Sequence, residues 1–138
     1  MDKGLNPELG LALLRVVLGV IFISHGAPSL FGGMEGQVAF FSSLGIPLPV
    51  VVAWGVKLLE FFGGIALLIG LLVTPVSLLL TIQMFAGIVL VHAPRGWYVV
   101  GPEANGGVEF SVLLAASLMM LVFGGAGMAS LDGRSGPS

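Results

Sequence analysis

The sequence predicts an all-α fold: an antiparallel four-helix bundle that spans a membrane, with a short interfacial helix in its first long loop. Of the 138 residues, 57% are hydrophobic and only 9% are charged, whereas soluble domains carry about 25% charged residues. The mean hydropathy is +1.10, so the lipid bilayer is the expected solvent. A helix needs about 20 apolar residues to cross the bilayer core, and four stretches reach that length. We expect residues 1–138 to form a single domain, with spans at about 7–26, 48–72, 75–93 and 106–127.

The first span begins with the local signals of a helix start. Asn6 is a good N-cap, Pro7 fits the first helical position, and Glu8 complements the positive end of the helix dipole. Because Lys3 precedes an apolar run, a secretory signal is the alternative. A signal has a short apolar region, however, and does not usually carry an arginine at its centre, as Arg15 is here. We therefore expect a retained span.

The second and third spans are separated by only two residues, Val73 and Thr74. A linker of this length requires an antiparallel helical hairpin. The second span starts after Pro47, and the third ends before Pro94, which discourages continuation of the helix. The fourth span then returns across the membrane.

Two long connections lie on one side of the predicted bundle. In residues 27–47, the spacing of Phe40, Phe41 and Leu44 is typical of the apolar stripe of a short helix at the membrane interface. Residues 94–105 contain aromatic side chains typical of an interfacial anchor. The two connections could form a lid over the outer mouth of the bundle, although plain surface loops are the simpler interpretation.

An even number of spans places both termini on one side of the membrane. That side carries Lys3 and Arg134, whereas the opposite side carries only Arg95. Because cytoplasmic loops are enriched in Lys and Arg, we predict a multi-pass protein with both termini in the cytoplasm. We expect the short polar tail after Ser130 to be loose.

The composition excludes several functional classes. The chain has no cysteine, which removes disulfides, thiolate metal ligands and cysteine-bound iron–sulfur clusters. Its net charge of -2 comes from 5 basic and 7 acidic residues that are scattered singly, so no surface for nucleic acid is predicted. No histidine pair has the spacing of a helical metal site, and we predict no metal ion. Any redox chemistry would therefore need a bound cofactor.

Ionisable side chains that interrupt the apolar runs form the candidate site. A charge at membrane depth costs about 2.5 to 3.5 kcal/mol on insertion scales, so these residues should face one another inside the bundle. At a rise of 1.5 Å per residue, Arg15 and Gln83 lie about 12 Å from the cytoplasmic end, and Glu60 lies about 18 Å from it. We therefore predict a structural ion pair between Arg15 and Glu60, with Gln83 as a neutral neighbour.

A second polar layer is predicted in the outer half of the bundle. His25 ends the first span, His92 ends the third, Glu109 begins the fourth, and Lys57 shares a face of the second span with Glu60. A quinone headgroup, held by a histidine and a carboxylate with its tail between apolar helices, fits this layer best among the cofactors. Haem b with two histidine ligands is less favoured, because both histidines lie at wet helix ends. In a third interpretation, these residues only bind one another and hold the loops.

Six segments spread over nearly the whole chain carry a family resemblance. They are LLRVVLGVIFISHG at 13–26, FFSSLGIPLP at 40–49, EFFGGIALLIG at 60–70, QMFAGIVLVH at 83–92, GGVEFSVLLAA at 106–116 and SLDG at 130–133. Together they resemble the DoxX family of small bacterial membrane proteins. The resemblance implies four spans in the bacterial cytoplasmic (inner) membrane, termini inside, and a relation to the small membrane subunits of thiosulfate:quinone oxidoreductase. It places the family's recurring polar positions on Arg15, His25, Glu60, His92 and Glu109.

The preferred hypothesis is a quinone-binding membrane subunit of an oxidoreductase, whose electron-donating chemistry lies on a separate soluble or peripheral redox partner. The catalytic candidates His25, His92 and Glu109 would bind the headgroup and exchange protons, and Lys57 and Glu60 would complete the cofactor site. Whether the chain is itself an enzyme is left open.

The competing hypothesis is a non-catalytic membrane anchor or assembly scaffold for a partner protein, in which the buried charges serve helix packing. A transporter or channel is less favoured, because four short spans without a broken helix offer little machinery for alternating access unless the protein forms a homo-oligomer.

Overall fold

The computed structural model describes residues 4–134 as an all-helical chain. Its five α-helices are α1 (Pro7–Gly32), α2 (Glu35–Ser43), α3 (Pro49–Ile69), α4 (Val73–Gly87) and α5 (Glu109–Gly124). Helix α4 continues into a π-helical turn (Ile88–His92) and a 3-10 turn (Ala93–Arg95), and a last 3-10 turn covers Asp132–Arg134. No strand occurs within residues 4–134, and the all-α prediction is confirmed for them.

Within the described residues 4–134, three helical segments are long and apolar enough to cross a membrane. They are Pro7–Gly32, Pro49–Ile69 and Val73–Arg95, with mean hydropathies of 2.0, 1.8 and 2.0. Helix α5 is also apolar but has 16 residues, fewer than the roughly 20 that cross a bilayer core. Three of the four predicted spans therefore have helices of spanning length.

The first helix starts as predicted but ends later. The side chain of Asn6 accepts a hydrogen bond of 3.0 Å from the backbone N–H of Glu8, which confirms the N-cap. Helix α1 then continues past the predicted end at Gly26, includes Pro28, and stops at Gly33, whose φ is 123°. His25 consequently lies within α1 and not at its end.

Helices α1 and α3 make the most extensive helix pair. A Cβ atom built on Gly19 would lie 2.8 Å from the backbone oxygen of Gly64, and one built on Gly26 would lie 2.7 Å from the backbone nitrogen of Phe61. Since higher numbers on α1 meet lower numbers on α3, the two helices are antiparallel. Because glycine has no side chain, the two backbones can approach each other this closely.

The core has two parts. The larger part joins α1, α3, α4 and α5 through Leu11, Leu18, Phe22, Leu67, Val73, Leu80, Leu114, Leu118 and Leu121. The smaller part docks α2 onto the start of α3 through Met34, Phe41 and Ala53. The predicted short helix is α2, but of its predicted apolar stripe Phe41 is buried whereas Leu44 is 38% exposed.

Residues 131–134 are held in place, which corrects the expectation of a loose tail for this part of it; residues 135–138 lie outside the described residues. The two carboxylate oxygens of Asp132 accept hydrogen bonds of 2.8 Å each from the backbone N–H groups of Leu72 and Val73. These N–H groups belong to the start of α4, where no helical carbonyl can accept from them. Asp132 therefore caps α4 from a distant part of the chain.

Candidate functional site

A cavity of about 420 Å³ lies between α2, α3, α4 and α5, within the range of about 300 to 1,000 Å³ typical of ligand pockets. Much of its wall is apolar and includes Phe40, Phe41, Val56, Leu90 and Phe110. Its polar lining consists of His25, Gln37, Lys57, Glu60, Gln83, His92, Arg95 and Ser111. Four predicted site residues, from three different helical segments, thus share one cavity: His25, Lys57, Glu60 and His92.

Lys57 and Glu60 form the charged centre of the cavity. Their positions three residues apart on α3 place both side chains on one face, and Lys57 Nζ lies 2.8 Å from Glu60 Oε2. Lys57 Nζ also donates to the backbone oxygen of His25 at 3.2 Å. From α4, Gln83 Nε2 donates to Glu60 Oε1 at 2.9 Å, which confirms the predicted proximity of Gln83 to Glu60. The network thus ties together α1, α3 and α4.

Both histidines form a hydrogen bond to a backbone carbonyl through the same ring nitrogen, Nδ1. His25 Nδ1 lies 2.8 Å from the backbone oxygen of Ile21, one helical turn earlier. His92 Nδ1 lies 2.8 Å from the backbone oxygen of Gly106. A carbonyl oxygen only accepts, so each Nδ1 carries the hydrogen, and in a neutral ring Nε2 is then an acceptor.

The π-helical turn positions His92. Helix α4 widens after Gly87, and His92 is the last residue of the wider turn. Single π-helical turns inside α-helices occur frequently at functional sites. Pro94, two residues later, is the only local signal for this irregularity.

Three polar residues of the lining were missed by sequence reasoning as parts of a site. Arg95 lies on the 3-10 turn after His92, and its guanidinium carbon lies 5.7 Å from the centroid of the Phe40 ring. Gln37 reaches the cavity from α2, and Ser111 from the first turn of α5. Gln37 lies three and four residues before Phe40 and Phe41, on the same face of α2, and this spacing could have indicated it, but nothing local distinguishes Ser111.

Glu109 lies outside the cavity lining and holds a loop. Its Oε1 accepts from the backbone N–H groups of Val99 and Val100, at 2.7 and 3.3 Å. Its own backbone N–H donates to the oxygen of Trp97 at 3.1 Å. The carboxylate thereby fixes the connection between the π-helical turn and α5, and its role in proton exchange stays a prediction.

Arg15 also lies outside the cavity, and the predicted Arg15–Glu60 ion pair is wrong. Arg15 is 2% exposed, and its Nη2 donates to the backbone oxygens of Met128 and Ala129 at 3.3 and 3.1 Å. Glu60 is instead paired with Lys57. Helical side chains lean toward the N-terminus of their own helix, so on antiparallel helices Arg15 and Glu60 diverge.

Comparisons with known proteins agree with the helical, apolar character of the chain. The family model for DoxX matches residues 10–93. The protein named "Putative oxidoreductase CatD" from Bacillus subtilis is 34% identical over 91% of this chain and 86% of its own length. "Inner membrane protein YphA" from Escherichia coli K12 is 28% identical over 96% of this chain and 95% of its own length. An uncharacterized protein from Haemophilus influenzae is 28% identical over 90% of this chain and 89% of its own length. No solved structure matches significantly.

Proposed function

Because the chain belongs to the DoxX family of membrane proteins, we propose that it is an integral membrane subunit of a redox system that binds a membrane quinone in the described cavity. In this role it couples a soluble or peripheral oxidoreductase, which donates the electrons, to the membrane quinone pool. The name of the Bacillus subtilis relative supports a redox role. The quinone is our extension from the shape and chemistry of the cavity.

The observation that carries the proposal is the combination of a polar cluster and apolar walls in one cavity. Ligand sites combine predominantly apolar walls with a few placed polar groups, and here the Lys57–Glu60 pair and two histidines are those groups. Lys57 uses two donor hydrogens within the chain, which leaves a third for a ring oxygen. The quinone brings the redox chemistry, and the residues of this chain bind and orient its ring.

We further propose that α5 completes an antiparallel bundle of four spans in the inner membrane, with both termini in the cytoplasm. His92 contacts Gly106 near the start of α5, and a Cβ atom built on Gly124 would lie 2.8 Å from Leu11 near the start of α1. These contacts support a return of α5 across the membrane. The name of the Escherichia coli relative supports the inner membrane.

The test is to count the quinone that copurifies with the full chain in mild detergent, by organic extraction and mass spectrometry. We expect about one quinone per chain. Gly87→Leu should lower this ratio severalfold, because Gly87 lines the cavity and its Cβ position is open. Gly55→Leu is the matched control, since its Cβ position is equally open but lies outside the lining. Absence of quinone from all preparations, even after quinone is added, would contradict the proposal.

A membrane anchor or assembly scaffold is the second candidate. It is favoured by Arg15 and Glu109, because neither residue lines the cavity and both bind backbone groups of connecting segments. As a scaffold, the protein would hold its partner without a cofactor. Partner capture that persists in Gly87→Leu, together with no quinone in the wild-type protein, would favour this candidate.

A further inference from the structure

The two histidines that line the cavity bind a backbone carbonyl through the same ring nitrogen. Each ring donates its Nδ1 hydrogen to a backbone carbonyl at 2.8 Å. Within residues 4–134, neither Nε2 has a hydrogen-bond partner. Both rings line the same cavity although His25 lies on α1 and His92 on the π-helical turn. The backbone therefore sets one tautomer for both neutral rings, with Nε2 as the acceptor.

The charged pair adds further acceptor capacity. Each carboxylate oxygen of Glu60 accepts one hydrogen bond, from Lys57 and from Gln83, and each can accept another. Two hydrogens of the Lys57 ammonium group are already used within the chain. The histidine rings and the Lys57–Glu60 pair, taken together, thus have several open acceptors and one unused ammonium hydrogen.

A ring with hydroxyl groups matches this pattern better than a ring with carbonyl oxygens. Hydroxyl groups can donate to Nε2 of His25 and His92, whereas carbonyl oxygens only accept and would leave both acceptors unpaired. We propose that the cavity recognises an aromatic diol, the hydroquinone form of its ligand, in preference to the corresponding dione. This inference rests on the proposed function, because it specifies which form of the quinone couple the site prefers.

The test is a binding comparison with three probes: a short-chain alkyl hydroquinone, its quinone, and its dimethyl ether, which has the same ring but no donor hydrogens. The full chain is reconstituted in lipid nanodiscs and titrated calorimetrically without oxygen. We expect the hydroquinone to bind about a hundredfold more tightly than either of the other probes, because a hydrogen bond to each of the two acceptors contributes about tenfold.

Variants assign the preference to the histidines. In His25→Asn and His92→Asn, the amide can still donate to the same carbonyl as Nδ1 did, but the acceptor at Nε2 is removed. Each change should weaken hydroquinone binding about tenfold and change quinone binding less than twofold. Ser24→Ala is the control, because Ser24 donates to the same carbonyl as His25 but does not line the cavity.

The outcomes separate this inference from the proposed function. Equal binding of hydroquinone and quinone, or equally tight binding of the dimethyl ether, would overturn the preference and leave quinone binding intact. Binding of none of the probes would overturn both. Because the probes are compared on the wild-type protein, the result decides the question even if a histidine variant does not fold.

Discussion

The Lys57–Glu60 pair is the residue-scale feature on which the site most depends. Both residues are buried, at 9% and 6% exposure, and each neutralises the other at 2.8 Å. Lys57→Met leaves a buried carboxylate without its cation, and removing one partner of a buried pair costs roughly 3 to 5 kcal/mol. We expect a loss near the lower figure, about 3 kcal/mol, because Glu60 keeps its hydrogen bond from Gln83. Unfolding in mixed micelles by added denaturing detergent measures it.

The double variant Lys57→Met/Glu60→Met provides the control for this prediction. Replacing a buried pair by apolar groups of similar size is often neutral, so the double variant should recover most of the lost stability. If the double variant were as unstable as the two single changes added together, the two side chains would not be coupled as the structure has them.

Glu109 offers a second residue-scale prediction. Removing its carboxylate in Glu109→Ala deprives the N–H groups of Val99 and Val100 of a charged acceptor. Such hydrogen bonds contribute about 1.5 to 3 kcal/mol, so amide hydrogen exchange at these two positions should speed up about tenfold to a hundredfold. Glu103→Ala, at an exposed position of the same loop, should not change it. Unchanged exchange in Glu109→Ala with loss of quinone would instead place Glu109 in the binding site.

For single residues, the sequence indicated which charged side chains turn to the interior, but not all of the groups that they bind. Charge at membrane depth correctly indicated that Lys57 and Glu60 face the interior. Counting the rise along each helix gave the level of Arg15, but not the direction in which its side chain leans. The acceptors it binds are carbonyl groups at residues 128 and 129, and such groups leave no mark in the sequence.

At the scale of helices, the contact between α1 and α3 depends on glycine. A Cβ atom at Gly64 would lie 2.7 Å from the backbone nitrogen of Ile23 and 2.8 Å from the oxygen of Gly19. Gly64→Ala should therefore destabilise the protein by about 1 to 3 kcal/mol, as expected for overpacking. Gly55→Ala, in the same helix with an open Cβ position, should be stabilising by about 0.5 to 1 kcal/mol.

The same detergent-induced unfolding measures both glycine variants. Opposite signs for the two substitutions are the expected result. Equal effects would mean that helix propensity, and not the approach of two backbones, determines the role of Gly64.

The sequence predicted which segments form helices better than it predicted where each helix ends. Apolar runs and the cap at Asn6 predicted α1, α3 and α4, because length and hydrophobicity are properties of each segment alone. The extension of α1 past Pro28 and the π-helical turn before His92 depend on packing against other segments. The cap of α4 by Asp132 joins positions about 60 residues apart, which local patterns do not reveal.

The arrangement of the whole molecule in the membrane can be tested by labelling introduced cysteines, because no native cysteine adds to the signal. The chain has no cysteine, so a single introduced cysteine is the only target for a membrane-impermeant maleimide. Glu103→Cys, in the loop before α5, should be labelled in intact cells with a permeable outer membrane. Gly4→Cys, before α1, should be labelled only after the inner membrane is opened. The reverse pattern would contradict the proposed orientation.

The sequence predicted the class of the molecule, its all-helical fold and its membrane solvent, because these follow from composition summed over the chain. It did not predict how four segments enclose a cavity. That depends on α2 docking on α3 through Phe41 and Ala53, and on the wider turn that carries His92. The presence of His25, Lys57, Glu60 and His92 on one cavity is therefore a result of the structure.

Photoaffinity labelling with an azido-quinone shows whether this cavity holds a quinone ring, the claim on which the proposed function rests. The full chain in nanodiscs is irradiated with the probe, and the modified residues are mapped by mass spectrometry. We predict labels on lining residues such as Met84, Leu90 and Phe110, which excess quinone and the Gly87→Leu substitution both abolish. Labels confined to outward-facing residues such as Phe62 and Phe85, unaffected by either competitor, would contradict the claim.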